Sequence, residues 1–281
     1  MSRIDLHIHT TASDGTDSPR LIVQQAAQLS LRAVAVTDHD TVAGIAEAQA
    51  AGRELGVEVL PGIEISTDYR GTDAHILGYF IDPTSSALRQ LTEWMVAERD
   101  SRNSAMAANM AADGIDISPE QLRRAHPDAV IGRPHMAQRL MELGLVGSVK
   151  EAFALYLGSG KKYYLPRRRI PLPEAVEIIR AAGGIASAAH PLQYGFSESG
   201  TADYLRFARG AGCAALEAYY SEHSPAQRDA LLAAAEELGM AVSGGSDYHG
   251  SVKPHIALGS GINGSLNVPY SVLEGLKERR S

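Results

Sequence analysis

The apolar positions of this chain switch between two periods. In Arg3–His9 they recur at every second residue, the spacing of a β-strand, with Ile4, Leu6 and Ile8 on one face and Asp5, His7 and His9 on the other. Ser18–Leu29 takes helical spacing through Leu21, Ile22, Ala26 and Leu29, with Ser18 placed as N-cap and Pro19 at the first helical position. Ala33–Thr37 is a short β-branched run, Thr41–Leu55 is an Ala-rich helix closed by Gly56, and Val57–Ile65 and Ala74–Ile81 read as strands. From about Ser85 to Leu165 the strand signal fades. Leu88–Met110 is one long helical stretch, followed by helical pieces at Pro119–Arg124, Pro134–Leu143 and Val149–Leu157 and a flexible joint at Gly158-Ser159-Gly160. Alternation then resumes, with helices at Leu172–Ala182, Ala202–Gly210 and Pro225–Leu238 between strands at Ile185–Ala189, Ala214–Tyr219 and Ala241–Ser246.

Seven strands separated mostly by helices predict an α/β fold on a mostly parallel sheet. A barrel one strand short of the usual eight satisfies the count, and an open doubly wound sheet is the alternative. The expected division gives residues 1–84 and 166–281 to the barrel and 85–165 to a helical insertion acting as a cap over its mouth.

Composition narrows the partners. The 281 residues are 44% hydrophobic with a net charge of −7, a poor balance for general nucleic-acid or anionic-membrane binding. No stretch approaches the about 20 apolar residues of a membrane span. Met1-Ser2-Arg3 runs straight into a strand, so no signal peptide is expected and a cytoplasmic location follows. The single Cys213 excludes internal disulfides and thiolate metal clusters, and reads as a packed small hydrophobe. Oligomeric state leaves no mark on the sequence.

In parallel α/β folds functional residues gather at the carboxyl ends of strands. Those ends, with the loops after them, carry His7 and His9 with Asp14, then Asp38-His39, Glu64, His190 and Asp247-Tyr248-His249; His75 lies on the fourth strand or its approach. A single histidine at a strand end is ordinarily hydrogen-bonded packing, but the recurrence at nearly every end points to a metal centre. Imidazole and carboxylate without thiolate suit Zn²⁺, Mn²⁺ or Fe²⁺. Nine candidate ligands (His7, His9, Asp14, His39, Glu64, His75, His190, Asp247 and His249) exceed one tetrahedral ion and suit two or three, with Glu64 as the natural bridge. Such centres make hydroxide available near neutral pH and clamp an in-line displacement, so hydrolysis follows more naturally than redox chemistry.

The motifs Ile4-Asp5-Leu6-His7-Ile8-His9, Asp14-Gly15, Thr37-Asp38-His39-Asp40, Gly62-Ile63-Glu64, Ala189-His190-Pro191 and Ser246-Asp247-Tyr248-His249 resemble, in order, those of the polymerase and histidinol phosphatase (PHP) family. The resemblance implies a distorted (β/α)7 barrel and a trinuclear centre. In it His7, His9, Glu64 and Asp247 would hold one ion, Glu64, His75 and His190 a second, and Asp14, His39 and His249 a third. Some members carry His at the position of Asp14; an oxygen ligand there favours a harder ion such as Mn²⁺. Asp38 and Asp40 are candidates to orient imidazoles, and Asp40 alternatively to cap a helix.

The helical insertion is most similar to that of free-standing members that remove the 3′-phosphate of 3′,5′-bisphosphonucleosides such as pAp; some relatives trim short RNA from the 5′ end. A metal-bridging hydroxide would attack phosphorus, with Asp247, His249 and Glu64 in the catalytic centre. Arg133 and His135, just before a helix, and Lys161 are candidate substrate ligands, with Lys162 and Arg167-Arg168-Arg169 completing a basic block in an acidic chain. For the arginine triplet a solvated charge run is the alternative. His223, after the sixth strand, is a candidate phosphate ligand or leaving-group acid, with a plain loop histidine as its alternative. Tyr163, Tyr164 or Tyr194 could stack a base or simply pack. His126 and His255 receive no role. The competing activities are 5′–3′ exoribonuclease, histidinol-phosphate phosphatase, an amidohydrolase and a non-catalytic metal-binding module.

Overall fold

The computed structural model describes residues 3–280. Met1 and Ser2, and with them the expectation about a leader, lie outside the described residues. Seven strands form the body: β1 (Arg3–Ile8), β2 (Leu31–Val36), β3 (Glu58–Tyr69), β4 (Thr72–Tyr79), β6 (Ile185–Ala188), β7 (Ala215–Tyr220) and β8 (Ala241–Gly245), hydrogen-bonded in that order. The two-residue β5 (Ile170–Pro171) adds to β3; β9 (Ile256–Ala257) and β10 (Gly261–Ile262) pair with each other, and β11 (Val268–Pro269) adds to β1.

The sheet closes on itself beyond β8. His9 N donates to the Tyr248 carbonyl at 2.9 Å and Asp247 N to that of His7 at 2.8 Å. A Cβ on Gly245 would stand 2.2 Å from His7 N, so only glycine admits this approach. The nearly closed barrel therefore carries the seven strands that the periodicity predicts, and the open sheet is excluded.

Two departures matter for the site. β4 runs antiparallel to both neighbours, because a tight Arg70-Gly71 turn, not a helix, joins it to β3. His75 consequently sits near the start of β4, paired with Ser66, and still reaches the ligand end of the barrel. In β1 the register against β2 slips between Asp5 and Ile8. Ile4 and Leu6 join one core cluster, with Ala33, Ala35 and helix α10 (Tyr270–Glu278), whereas Ile8 joins another, with Ile22, Val23 and Ala48. The simple alternation over Ile4, Leu6 and Ile8 is thus broken, by a bulge that re-aims the strand end.

Helices α1 (Pro19–Gln28) and α2 (Ile45–Leu55) follow β1 and β2. Ser18 caps α1 as predicted, and Gly56 ends α2 in the left-handed region at φ 73°. α2 starts four residues later than the periodicity suggests, with Gly44 as N-cap, so Asp40 is not a cap. Between β4 and β5 the described elements are all helical: α3 (Ser86–Ala112), α4 (Pro119–Ala125), α5 (Arg133–Glu142) and α6 (Val149–Ala152), which runs on into a π-turn at Phe153–Leu157. They share their own core of Met106, Met110, Leu122, Met136, Leu140 and Leu157. After β5 come α7 (Leu172–Ala181), α8 (Glu198–Gly210) and α9 (Pro225–Glu237). Among the described residues no helix is long and apolar enough to cross a membrane.

Candidate metal centre

The nine residues singled out by their strand-end positions converge. Glu64, in the middle of β3, which runs on past the strand end expected at Ile65, is the hub; Asp40 N donates to its carbonyl. Its Oε1 lies 2.9 Å from His75 Nδ1 and 2.9 Å from His190 Nε2. Its Oε2 lies 3.3, 3.1 and 3.1 Å from His7 Nε2, His9 Nε2 and His39 Nδ1. Asp247 Oδ1 stands 3.6 Å from His7 Nε2, 3.3 Å from His9 Nε2 and 3.4 Å from His249 Nδ1. Asp14 faces His9, His39 and His249 at 3.6, 4.0 and 3.4 Å. Four overlapping groups could each hold an ion in this arrangement: His7, His9 and Asp247; His7, Glu64 and His190; His39, Glu64 and His75; and His9, Asp14, His39 and His249.

The donor set fits divalent cations on a physical test. His7 Nε2, His9 Nε2, His39 Nδ1 and Glu64 Oε2 are buried, point at one another and have no hydrogen-bond partner. Buried polar atoms are ordinarily satisfied, and four converging orphans need a common partner. Charge tells the same story. Burial favours the neutral form of His7, but Glu217, Glu64 and Asp247 outweigh it and hold its pKa well above the usual imidazole value. His9 is likewise opposed by burial and lifted by Asp247 and Glu64, to about 9. His39, where burial wins, falls to about 3. Burial would raise Glu64, yet His39, His75 and His7 hold it well below the carboxylate range. The pocket is thus built for positive charge, which protons on His7 and His9 supply in the ions' absence.

Backbone strain marks the same place. Asp40, His190 and Asp247 are non-glycine residues at positive φ, a costly conformation that clusters at functional sites.

Around the ligands stand residues that the sequence pattern missed. Glu217, fully buried on β7, accepts from His7 Nδ1 at 2.9 Å and from His190 N at 2.7 Å, so it fixes the ring that presents Nε2 inward. A charge in the middle of the apolar strand Ala215–Tyr220 was its visible signal. Lys253 Nζ lies 2.6 Å from Asp247 Oδ2, and Tyr220 donates to the same oxygen at 2.8 Å. Asp38 accepts from Thr10 and Ser13, and Ser13 Oγ in turn lies 3.5 Å from His9 Nδ1, so Asp38 reaches the imidazole only through that hydroxyl. Asp40 accepts from Ser66 N at 2.9 Å, Arg99 Nε at 2.7 Å and Arg167 Nη2 at 3.3 Å. Burial would raise its pKa, but Arg99 and Arg167 draw it down to about 2.

A cavity of about 320 Å³ opens from Asp14, His39, His75 and His249 onto Arg99, Arg102, Arg133, Arg167 and Lys253. Arg99 and Arg102 come from α3 and Arg133 from the start of α5. Arg133 lies 5.4 Å from the centroids of both Phe153 and Tyr164. Arg102 Nη2 and Arg167 Nη1 are buried without hydrogen-bond partners. Burial, then Arg99, Arg133 and Arg167, press against the charge on Arg102.

Three expected substrate ligands lie elsewhere. His135 is buried and uses Nδ1 to accept from Gly132 N at 2.9 Å; burial lowers its pKa to about 4, as an acceptor in a helix cap requires. Lys161 is exposed on a turn, its N–H donating to the Gly158 carbonyl, and Lys162 pairs with Asp113 at 2.8 Å. His223 ties Nδ1 to the Ala218 carbonyl at 3.0 Å and lines a separate cavity of about 290 Å³ with Tyr220 and Asn267. Of the arginine triplet only Arg167 reaches the metal-side cavity; Arg168 pairs with Glu98 and Arg169 with Asp68. Tyr163 and Tyr194 are tied into packing by Asp113 and by the Ala189 carbonyl. Cys213 is buried in the core, as its small-residue surroundings predict.

An α/β barrel whose strand ends gather imidazoles and carboxylates beneath a cationic roof defines a hydrolase built for divalent cations. Residues 5–131 match the PHP domain. The chain is 35% identical over 247 residues to a 5′-3′ exoribonuclease of Haemophilus influenzae, covering 88% of this chain and 90% of that one. It is 32% identical over 250 residues to a 3′,5′-nucleoside bisphosphate phosphatase of Chromobacterium violaceum, covering 89% and 88%. A crystal structure from Bifidobacterium adolescentis, described as that of a metal-dependent phosphoesterase, superposes with a TM-score of 0.88 at 31% identity, over 99% of this chain and 96% of that one. The chain belongs to the PHP family, and it is a phosphoesterase of that family.

Proposed function

We propose that this enzyme removes the 3′-phosphate of 3′,5′-bisphosphonucleosides of the pAp type, releasing nucleoside 5′-monophosphate and phosphate. The observation that carries the reading is the pair of buried, unpartnered guanidinium nitrogens of Arg102 and Arg167 in a cavity that begins at the metal-ligand cluster. A guanidinium stays charged at neutral pH and pairs bidentately with phosphate. One phosphate at the cluster and a second on the arginines match a substrate with two. The relative from Chromobacterium violaceum, a 3′,5′-nucleoside bisphosphate phosphatase, supports the same choice.

His7, His9, Asp14, His39, Glu64, His75, His190, Asp247 and His249 are the proposed ligands, for two or three ions. Mn²⁺ is the first choice, given the oxygen ligand Asp14, with Zn²⁺ and Fe²⁺ as the other candidates. When bound, such ions supply a Lewis acid and a water-derived nucleophile at neutral pH. Glu217 keeps the rings of β1 and β6 in place. Arg102, Arg133 and Arg167 hold the second phosphate, and Lys253, against Asp247, faces the charge that develops as the 3′-oxygen leaves. In this reading residues 85–165 act as a cap that brings Arg99, Arg102 and Arg133 over a barrel made of 1–84 and 166–281, in a cytoplasmic enzyme.

Histidinol phosphate fits poorly, because its ammonium and its protonatable imidazole would meet four arginines. The test offers purified Mn²⁺-loaded protein pAp, AMP, histidinol phosphate and a 5′-phosphorylated oligonucleotide, and measures released phosphate and nucleotide. The expected result is phosphate from pAp at a kcat/KM at least about tenfold above that for AMP or histidinol phosphate. Fastest turnover of histidinol phosphate overturns the reading.

A further inference from the structure

The rings of the proposed ligands are steadied from behind by different partners. Glu217 takes His7 Nδ1, Ser13 lies behind His9, and the Asp247 carbonyl is 2.8 Å from His249 Nδ1. His75 is pinned at its backbone: its N–H donates to the Tyr194 hydroxyl at 2.8 Å and its carbonyl accepts from Ala189 N at 3.2 Å. Its ring sets Nδ1 against Glu64 and carries Nε2 on the opposite side, 3.8 Å from Asp73 Oδ1. Asp73 is half-buried on β4, but that oxygen is fully buried and accepts no hydrogen bond.

A second buried atom without a hydrogen bond faces the same oxygen: Arg169 Nε stands 3.6 Å from it. Through Nη2 the same guanidinium donates to Asp68 Oδ1 and to the Gly71 carbonyl, both at 3.2 Å. Asp68 and Asp73 are opposite one another across the β3–β4 hairpin. Arg169 therefore fastens the segment that returns from the helical insertion onto both strands of that hairpin. Burial would raise the Asp73 carboxyl, but His75 and then Arg167, Arg169 and Arg133 hold it below its usual value. An imidazole that gives Nδ1 to a cation keeps its one proton on Nε2. On His75 that proton points at an anionic oxygen with nothing else to accept. Closing by about 0.8 Å brings the two atoms to ordinary hydrogen-bond length.

We infer that Asp73 is the positioning residue of His75, holding its Nε2–H so that Nδ1 is presented beside Glu64, and that Arg169 holds Asp73 in turn. The chain Arg169–Asp73–His75 then ties the affinity of one metal site to the seating of the segment that follows the insertion. The inference rests on the proposed ligation by His75 and is independent of the choice of substrate. It also gives Arg169, which stands apart from the arginine-lined cavity, a part in the centre that Arg168 lacks.

The test titrates the full chain with Mn²⁺ and follows free Mn²⁺ by its paramagnetic resonance signal, with His75→Ala as the reference that removes the ligand itself. Groups that steady a ligating imidazole typically carry ten- to a hundredfold in metal affinity. Asp73→Ala is therefore expected to raise the dissociation constant of one Mn²⁺ site by about that factor and to leave the other sites within about twofold. Turnover lost at low Mn²⁺ should return at high Mn²⁺, which a merely structural role would not produce. Asp73→Asn keeps an acceptor for Nε2–H without the charge, so it should lose less, and it carries the test should the alanine variant fold poorly. Arg169→Gln should weaken the same site, and in the Asp73→Ala background should add nothing, because it acts through the carboxylate. Unchanged Mn²⁺ constants in both Asp73 variants, with one site lost in His75→Ala, overturn the inference and spare the ligand reading. Unchanged binding in His75→Ala overturns ligation by His75 and the inference with it. Additive losses from Arg169→Gln and Asp73→Ala break the link between the two residues.

Discussion

The floor and the roof of the cavity are built on opposite electrostatic plans. The floor sets buried imidazoles against buried carboxylates, and each charge there has an opposite within 4.0 Å. The roof sets arginine against arginine, with Asp40 taken by Arg99 and Arg167 and nothing given to two guanidinium nitrogens. Hence the floor is nearly self-consistent and awaits a cation that displaces protons, whereas the roof is frustrated and awaits an anion. Catalysis by the floor and recognition by the roof should therefore separate under mutation.

The largest separation is expected from Asp247→Asn. It removes a carboxylate that faces three imidazoles and Lys253, so kcat for pAp should fall at least about a thousandfold. A variant retaining a tenth of the activity would take Asp247 out of the centre. Substitution of the roof, Arg133→Ala, should instead act mainly on KM or kcat/KM, by about ten- to a hundredfold.

Next in size is the pH dependence of metal loading. Against burial, Asp247 and Glu64 push His9 up to about 9, and Glu217 and Glu64 raise His7 as well, so without an ion both rings favour their protonated form at pH 7. Ligation needs the neutral rings, and binding must release those protons. The sign is that affinity rises with pH up to about 9. Between pH 6 and 8 His9 alone should contribute about a hundredfold, one decade per pH unit per proton. His39, at about 3, and His249, also lowered, are already neutral and add no slope. Calorimetry of Mn²⁺ binding in buffers of different protonation enthalpy counts the protons, and zero release at pH 7 would contradict the account.

These contrasts also explain what could be read from the chain. His7, His9 and the Asp247–His249 pair were visible because strand periodicity fixes which neighbours share a face, and because parallel strands bring their carboxyl ends to one rim. His75 is expected on the fourth strand or its approach, and because β4 runs antiparallel it comes to the rim from the strand's first half. Glu217 was passed over because a lone acid in a strand has no partner within sequence reach; its partners lie 27 and 210 residues away. Arg99 and Arg102 lie in the long helical stretch Leu88–Met110, where nothing in the local pattern sets them apart. Only the turn of α3 over the barrel shows that they are 9% and 7% exposed. The roof was illegible since tertiary placement, not local pattern, gives its arginines their meaning.

Glu217→Gln probes the floor from behind. Glutamine offers one acceptor where glutamate offers two, so either the His7 Nδ1–H or the His190 N–H loses its partner. Partners of this kind typically carry ten- to a hundredfold in metal affinity or activity. The expected result is a Mn²⁺ dissociation constant raised by about that factor, with turnover at saturating metal much less affected. Turnover lost at full loading would move Glu217 from a positioning to a chemical part.

The smallest effect bears most directly on the roof, because it has the sign opposite to an ordinary core mutation. Arg102 is nearly buried among three other guanidinia, with Asp73 as the carboxylate on the same cavity wall, and its Nε donates to Asn103 Oδ1 at 3.0 Å. Burying a charge that is outnumbered by like charges and holds no direct ion pair costs stability, and replacing it with an apolar side chain of similar length is often neutral or stabilising. Arg102→Met should therefore raise stability by about 1 kcal/mol, a Tm increase of about 2–4 °C for a chain of this size, while lowering kcat/KM for pAp. Saturating inorganic phosphate should stabilise the parent more than the variant, since an anion that binds only the folded roof adds its binding free energy to stability. If Arg102→Met melts several degrees lower, and phosphate protects both proteins equally, the arginine is structural and the roof is not an anion site.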